Sequence, residues 1–103
     1  MKKIIDGKVY NTETAEEVAR YANGRSYSDF HYLDETLYRT KKGAWFIHGC
    51  GGAMTGWAES CGDNSYTSGN GIVVLTEEEA LAWCETSGVD PDIIEKNFKV
   101  EEA

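Results

Sequence analysis

Proline is almost missing from this chain: Pro91 is the only one in 103 residues. That excludes a proline-rich linker or an extended proline-based recognition segment. Cysteine is scarce and odd in number, with three in all, so a disulfide framework cannot pair completely. No C-x-x-C pair occurs, which removes the close ligand pairs of most structural zinc sites. No apolar run is long enough to span a bilayer. In the opening "MKKIIDGKVY" the apolar run stops at Asp6, so no secretory signal is expected. Together these absences predict free thiols and a cytoplasmic location.

Basic residues are missing from one region in particular. Residues 1–75 hold nine acids and eight bases, whereas residues 76–103 hold nine acids and only Lys96 and Lys99. Most of the net charge of -8 therefore sits in the last third of the chain. Such a block repels nucleic acid and anionic membrane and attracts basic surfaces. The plainer explanation is a solvated helix face kept soluble by its charge.

What is present is enough for a fold. Hydrophobic residues make up 41% and aromatics 12%, which argues against disorder. The length suits a single domain, residues 1–103, around one modest core. "KKIIDGKVYN" reads as a small hairpin about Asp6-Gly7, a pair suited to a type I′ turn. In "TETAEEVARYANG", Thr14 and Glu17 have capping-box spacing, and Ala15, Val18, Ala19 and Ala22 share one helical face. A helix ended by Asn23-Gly24 is expected there. "RSYSDF" is a connecting loop. "HYLDETLYRTKKGAWFIHG" reads as a hairpin turning at Lys41-Lys42-Gly43, with consecutive apolar residues that allow burial on both faces.

"AMTGWAES" reads as two helical turns weakened by Gly56, and "CGDNSYTSGNG" as a polar loop. "GIVVLT" is a continuous β-branched run typical of a sheet interior. "LTEEEALAWCETSG" is a helix with Thr76 as N-cap, Glu79 as capping-box partner and Leu75 with Ala80 at the staple positions. "DPDIIEKNF" starts another, with Asp90 as cap and Pro91 at the first helical position. The class expected is α+β: a small, mainly antiparallel sheet with about three to four helices.

The glycine-rich stretch "HGCGGAMTGWAESCG" is where chemistry would be sought. It lacks the Lys-Ser/Thr pair of a phosphate loop, and Met54 stands where a dinucleotide fingerprint needs its third glycine. Gly51, Gly52 and the amides after them could still cradle an anion. His48 and Cys50 would share one face of a strand, yet Cys61 and Cys84 complete a zinc set only by tertiary accident. A thiol centre at Cys50 needs a positioned third group, and none is visible. No metal and no cofactor is therefore expected. The structural reading is that the glycines let the backbone turn, with Trp45, Trp57 and Trp83 in the core. A glycine turn beside Trp57 can also shape a docking groove, for which Gly51, Gly52 and Trp57 are the candidates.

The runs "ETLYRTKKGAWFIHGCGGAMTGWAES", "KKIIDGKVYNTETAEEVA" and "VVLTEEEALAWCE" cover more than half the chain. They resemble small acidic proteins carried by phages and mobile conjugative elements of Firmicutes. Anti-CRISPR proteins, including inhibitors of Cas9, come from the same class of genes. The resemblance supplies no catalytic residue.

The expectation that follows is a non-enzymatic binding protein. Its partner would be a host protein with a basic nucleic-acid channel, most concretely a CRISPR effector. The partner-binding surface would be Glu77, Glu78, Glu79, Glu85, Asp90, Asp92 and Glu95, with no direct contact to nucleic acid or membrane. The alternatives are an antitoxin or immunity-type protein, and a small enzyme or ligand binder centred on His48, Cys50 and the glycine turn.

Overall fold

A computed structural model describes residues 1–26, 28–62 and 65–103. Tyr27 of the "RSYSDF" loop and Asp63 and Asn64 of the expected polar loop lie outside the described residues. The chain begins with a hairpin of β1 (Lys2–Ile5) and β2 (Lys8–Asn11), turning at Asp6-Gly7. Both turn residues have positive φ, 52° and 74°, as a type I′ turn requires.

The second element overturns an expectation. Residues 14–22 do not form a helix: Asn11 organises a turn by accepting the Glu13 amide on its side chain and the Ala15 amide on its carbonyl. β3 (Glu16–Ala22) follows and pairs with β4 (Leu33–Arg39). The register shifts between Glu17 and Ala19, leaving Val18 as an extra residue. A bulge of this kind interrupts the two-residue alternation. It sets Val18 and Ala19 side by side and so imitates the spacing of a helical face.

β4 turns through Thr40–Ala44 into β5 (Trp45–Gly51), as the hairpin pattern predicts. The chain then leaves the sheet. No helix forms over residues 53–60; there are turns over 53–57, then a short hairpin of β6 (Glu59–Gly62) and β7 (Ser65–Thr67). Part of the expected polar loop is thus strand. β8 (Gly69–Leu75) returns to pair with β5, giving an antiparallel sheet in the order β3-β4-β5-β8. β8 is an edge strand rather than the interior strand its composition suggests, because no later strand pairs beyond it. Val73 and Val74 are accordingly exposed, at 47% and 37%.

Two helices follow, fewer than the three to four expected, since residues 14–22 and 53–60 took other forms. α1 (Glu77–Thr86) has the complete Thr76/Glu79 capping box, and α2 (Pro91–Asn97) is capped by Asp90. Both lie on one face of the sheet. There Leu37, Trp45, Ile47, Ala80, Cys84 and Phe98 form the main core, and Trp45 stacks on Phe98 at 4.6 Å between ring centres. The β1–β2 hairpin covers part of the opposite face, where Tyr10, Phe46 and Ile72 are buried. Trp45, Phe46 and Ile47 are therefore buried in succession. The molecule is α+β, dominated by antiparallel sheet.

Candidate functional site

Side chains alternate along a strand, so β5 delivers two different sets to the two faces. Toward the helices go Trp45, Ile47, Gly49 and Gly51; toward the hairpin side go Phe46, His48 and Cys50. The glycines on the helical side have a definite use. A Cβ on Gly49 would stand 2.3 Å from Cζ2 of Trp57, inside any real contact. The Trp57 ring lies directly on the backbone, and Gly71 on β8 continues the same seat.

Trp57 is held there by a polar clasp. Its indole N–H donates to Oε2 of Glu35 at 2.7 Å, and the indole N–H of Trp83 on α1 donates to Oε1 at 2.9 Å. Glu35 is half-buried on β4. Its carboxylate thus ties the loop and the helix to the sheet. No ion pair involves it among the described residues, where the salt bridges are Arg20–Asp34 and Arg25–Asp29.

A cleft of about 720 Å³ opens beside the clasp. Leu33, Glu35, Ile47 and Val73 come from the sheet, Met54 to Trp57 form one wall, and Asn23, Arg25 and His31 stand at the other side. Of the groove residues expected from the sequence, Trp57 lines this cleft. Gly51 and Gly52 do not; they are buried and border two smaller clefts, of about 40 and 280 Å³. Gly51 lies under Thr55, and a Cβ on Gly52 would stand 2.4 Å from the Asp29 carbonyl oxygen. Three of the turn's amides are not free to cradle an anion. The Gly52, Met54 and Thr55 amides donate to the carbonyls of Tyr32, Phe30 and Gly52, so they are already satisfied.

On the other face His48 and Cys50 do share a side, as their spacing predicts. Two strand residues put them about 6.8 Å apart along the backbone, and no hydrogen bond joins them among the described residues. The Cys50 thiol points its weak donor at the Tyr32 hydroxyl, 4.0 Å away. That hydroxyl donates to Asp34 at 3.4 Å, and Asp34 is gripped by Arg20 through two contacts. Arg20 hydrogen-bonding holds the Asp34 carboxyl below its usual range, while burial pushes the Tyr32 hydroxyl up. Burial, aided by the N-terminal amine, lowers the His48 imidazole pKa. These contacts link Cys50, Tyr32, Asp34 and Arg20 across the hairpin side of the sheet.

A zinc set from these residues fails geometrically. Cys84 is fully buried in the helical-side core, with its thiol pushed up by burial. The sheet separates it from His48 and Cys50. The side chain of Cys61 lies outside the described part, and no group of three or more candidate ligands forms among the described residues.

Glu77, Glu78, Glu79, Glu85, Asp90, Asp92 and Glu95 are all exposed. Two of them serve the helix starts: Glu79 accepts the Thr76 amide at 2.9 Å, and Asp90 accepts the Asp92 amide at 2.9 Å. The side chains of Glu77, Glu78, Glu85, Asp92 and Glu95 have no hydrogen-bond or ion-pair partner among the described residues. Glu78 and Glu85 are seven residues apart, on the side of α1 away from buried Ala80 and Cys84.

The Trp57–Glu35–Trp83 clasp leaves no local signal in the sequence, because its members lie 22 and 48 positions apart. The four glycines at positions 49, 51, 69 and 71 were the only trace, as small residues facing one another across β5 and β8. No helix among the described residues is long and apolar enough to cross a membrane. Set against known proteins, the chain matches no family model, no curated protein and no solved structure.

Proposed function

We propose that this protein is a non-enzymatic binding protein whose acidic helical layer docks onto a basic surface of a host protein. The carrying observation is the set of five exposed carboxylates on α1 and α2 with no ion-pair partner among the described residues. A row of carboxylates can occupy the lysines and arginines that would otherwise hold phosphates. Charged surfaces of this kind speed encounter and fix the choice of partner.

The most concrete form of the proposal takes in the resemblance to mobile-element proteins. The partner is then a CRISPR effector of the bacterial host cytoplasm, and the protein inhibits it by filling its nucleic-acid channel. An antitoxin covering a basic toxin would use the same surface. The His48–Cys50 face supports the enzyme alternative poorly, since the Asp34 carboxylate on it is already matched by Arg20.

The test reverses three charges, Glu78→Lys, Glu85→Lys and Asp92→Lys, with folding verified by circular dichroism. Affinity for a purified effector–guide complex is then measured against sodium chloride concentration. The parent should lose affinity steeply as salt rises, and the triple variant should bind about tenfold or more weakly at low salt. Equal binding by the triple variant would refute the charge mechanism. Absence of binding to any effector, with tight binding to a basic toxin, would favour the antitoxin form.

A further inference from the structure

We propose that the cleft beside Glu35 receives an arginine side chain of the partner, so that this carboxylate, and not the helical layer alone, anchors the complex. The inference rests on the reading of the partner as a basic protein. It comes from three features of the cleft.

First, Glu35 is a half-buried carboxylate whose hydrogen-bond partners are neutral. A carboxylate offers about four lone-pair positions, and the indoles of Trp57 and Trp83 take one on each oxygen. Acceptor capacity remains, and the negative charge has no counter-ion among the described residues. A charged donor would complete it with a stronger, charge-assisted bond.

Second, the walls suit a guanidinium on an aliphatic stem. Trp57 offers an aromatic ring, against which a guanidinium stacks well. Leu33, Ile47 and Val73 offer apolar surface for the methylenes. Third, the arginine of the lining is already committed elsewhere. Arg25 at the rim is engaged by Asp29 at 3.4 Å, which leaves Glu35 as the unmatched charge of the cleft. The ring of Trp57 cannot swing down to close the space, because it already rests on Gly49.

The clasp supplies its own reporter. The chain has three tryptophans, and two of them donate to Glu35. In a nitrogen–proton correlation spectrum of the intact protein, N-acetyl-arginine N-methylamide should shift the Trp57 and Trp83 indole signals saturably. A Kd on the order of 1–10 mM is expected for so small a ligand. The Trp45 signal should stay in place. The citrulline analogue, equal in shape but neutral, should produce no saturable shift.

Glu35→Gln should weaken the arginine amide by about tenfold or more. Because this variant also disturbs the clasp, Val73→Trp provides a second arm: it fills the cleft from an exposed position and leaves Glu35 intact. Loss of the arginine response in a folded Val73→Trp variant would support the site. An undiminished response there, or equal responses to arginine and citrulline amides, would overturn it. The triple charge reversal should bind the arginine amide like the parent. Arginine binding without binding to any basic protein would refute the proposed partner alone. Effector binding unaffected by Val73→Trp, with no arginine response, would refute the cleft alone.

Discussion

Asp34 and Glu35 are neighbours on β4 and face opposite sides of the sheet, and their surroundings differ in kind. Asp34 is gripped by Arg20 and receives the Tyr32 hydroxyl. Its charge is matched within the fold. Glu35 receives two indole N–H groups and no cation. The strand beside them follows the same division. β5 gives His48 and Cys50 to the Asp34 side, and Gly49 and Gly51, which carry no side chain, to the Glu35 side. The Asp34 carboxylate is thus paired within the fold, whereas Glu35 in the cleft and Glu77, Glu78, Glu85, Asp92 and Glu95 on the helices have no ion-pair partner among the described residues.

The largest effect should come from the packing that holds the hairpin face. Phe46 is fully buried, stacked on Tyr38 at 5.1 Å and met edge-on by Tyr10 at 5.6 Å. Phe46→Ala should cost about 3–5 kcal/mol, measured as the loss of unfolding free energy in urea. If the hairpin is only loosely docked, the loss will be below about 1.5 kcal/mol, and the two-faced core is wrong.

Gly49 examines the helical face at the same strand. Gly49→Val drives a side chain into the Trp57 ring and should cost about 2–4 kcal/mol, displacing the Trp57 indole signal. Gly71→Ala is the contrast, because its Cβ would meet the ring at an ordinary 3.7 Å. It should stay within about 0.5 kcal/mol of the parent. Similar costs at both positions would show that Trp57 does not lie on Gly49.

The clasp itself should contribute less than the seat. Trp83→Phe keeps most of the ring and removes one donor to Glu35, for an expected loss of about 1–2 kcal/mol. Glu35 is only half-buried, so water can replace part of the bond. An unchanged urea midpoint would show that the indole bond is not made in solution.

The smallest effect concerns pH on the hairpin face. The His48 pKa in the folded protein lies below its ordinary value of 6.5. Above that value the imidazole is neutral folded or unfolded, and its contribution is complete. As pH falls through the ordinary value toward the lower folded one, the unfolded chain takes the proton more readily and stability declines. His48→Gln should flatten the stability curve just below about pH 6.5 by a few tenths of a kcal/mol. A parent curve already flat over that interval would place His48 in water.

The sequence was informative where a signal is local. Asp6-Gly7, the Thr76/Glu79 box and Asp90-Pro91 each act through backbone angles or bonds within a few residues, and each stands where expected. The same locality misled at residues 14–22, where the bulge at Val18 put apolar residues at helical spacing. It also misled at Gly69–Leu75, whose valines suggest an interior strand although sheet order is set by the rest of the chain. The acidic surface was legible because charge is additive along a helix. The cleft was legible only at Trp57, since Glu35 and Trp83 reach it through strand order and helix placement.

The central claim is that the helical face binds and the hairpin face supports. One inhibition assay tests it: guided DNA cleavage by a CRISPR effector, titrated with the parent, with the Glu78→Lys, Glu85→Lys, Asp92→Lys variant, and with a His48→Ala, Cys50→Ser variant of verified fold. The parent should inhibit, the double variant should match it within about twofold, and the charge-reversed variant should need about tenfold or more protein for the same effect. Full inhibition by the charge-reversed variant together with a loss of a hundredfold or more in the double variant would contradict the claim and place the function on the other face.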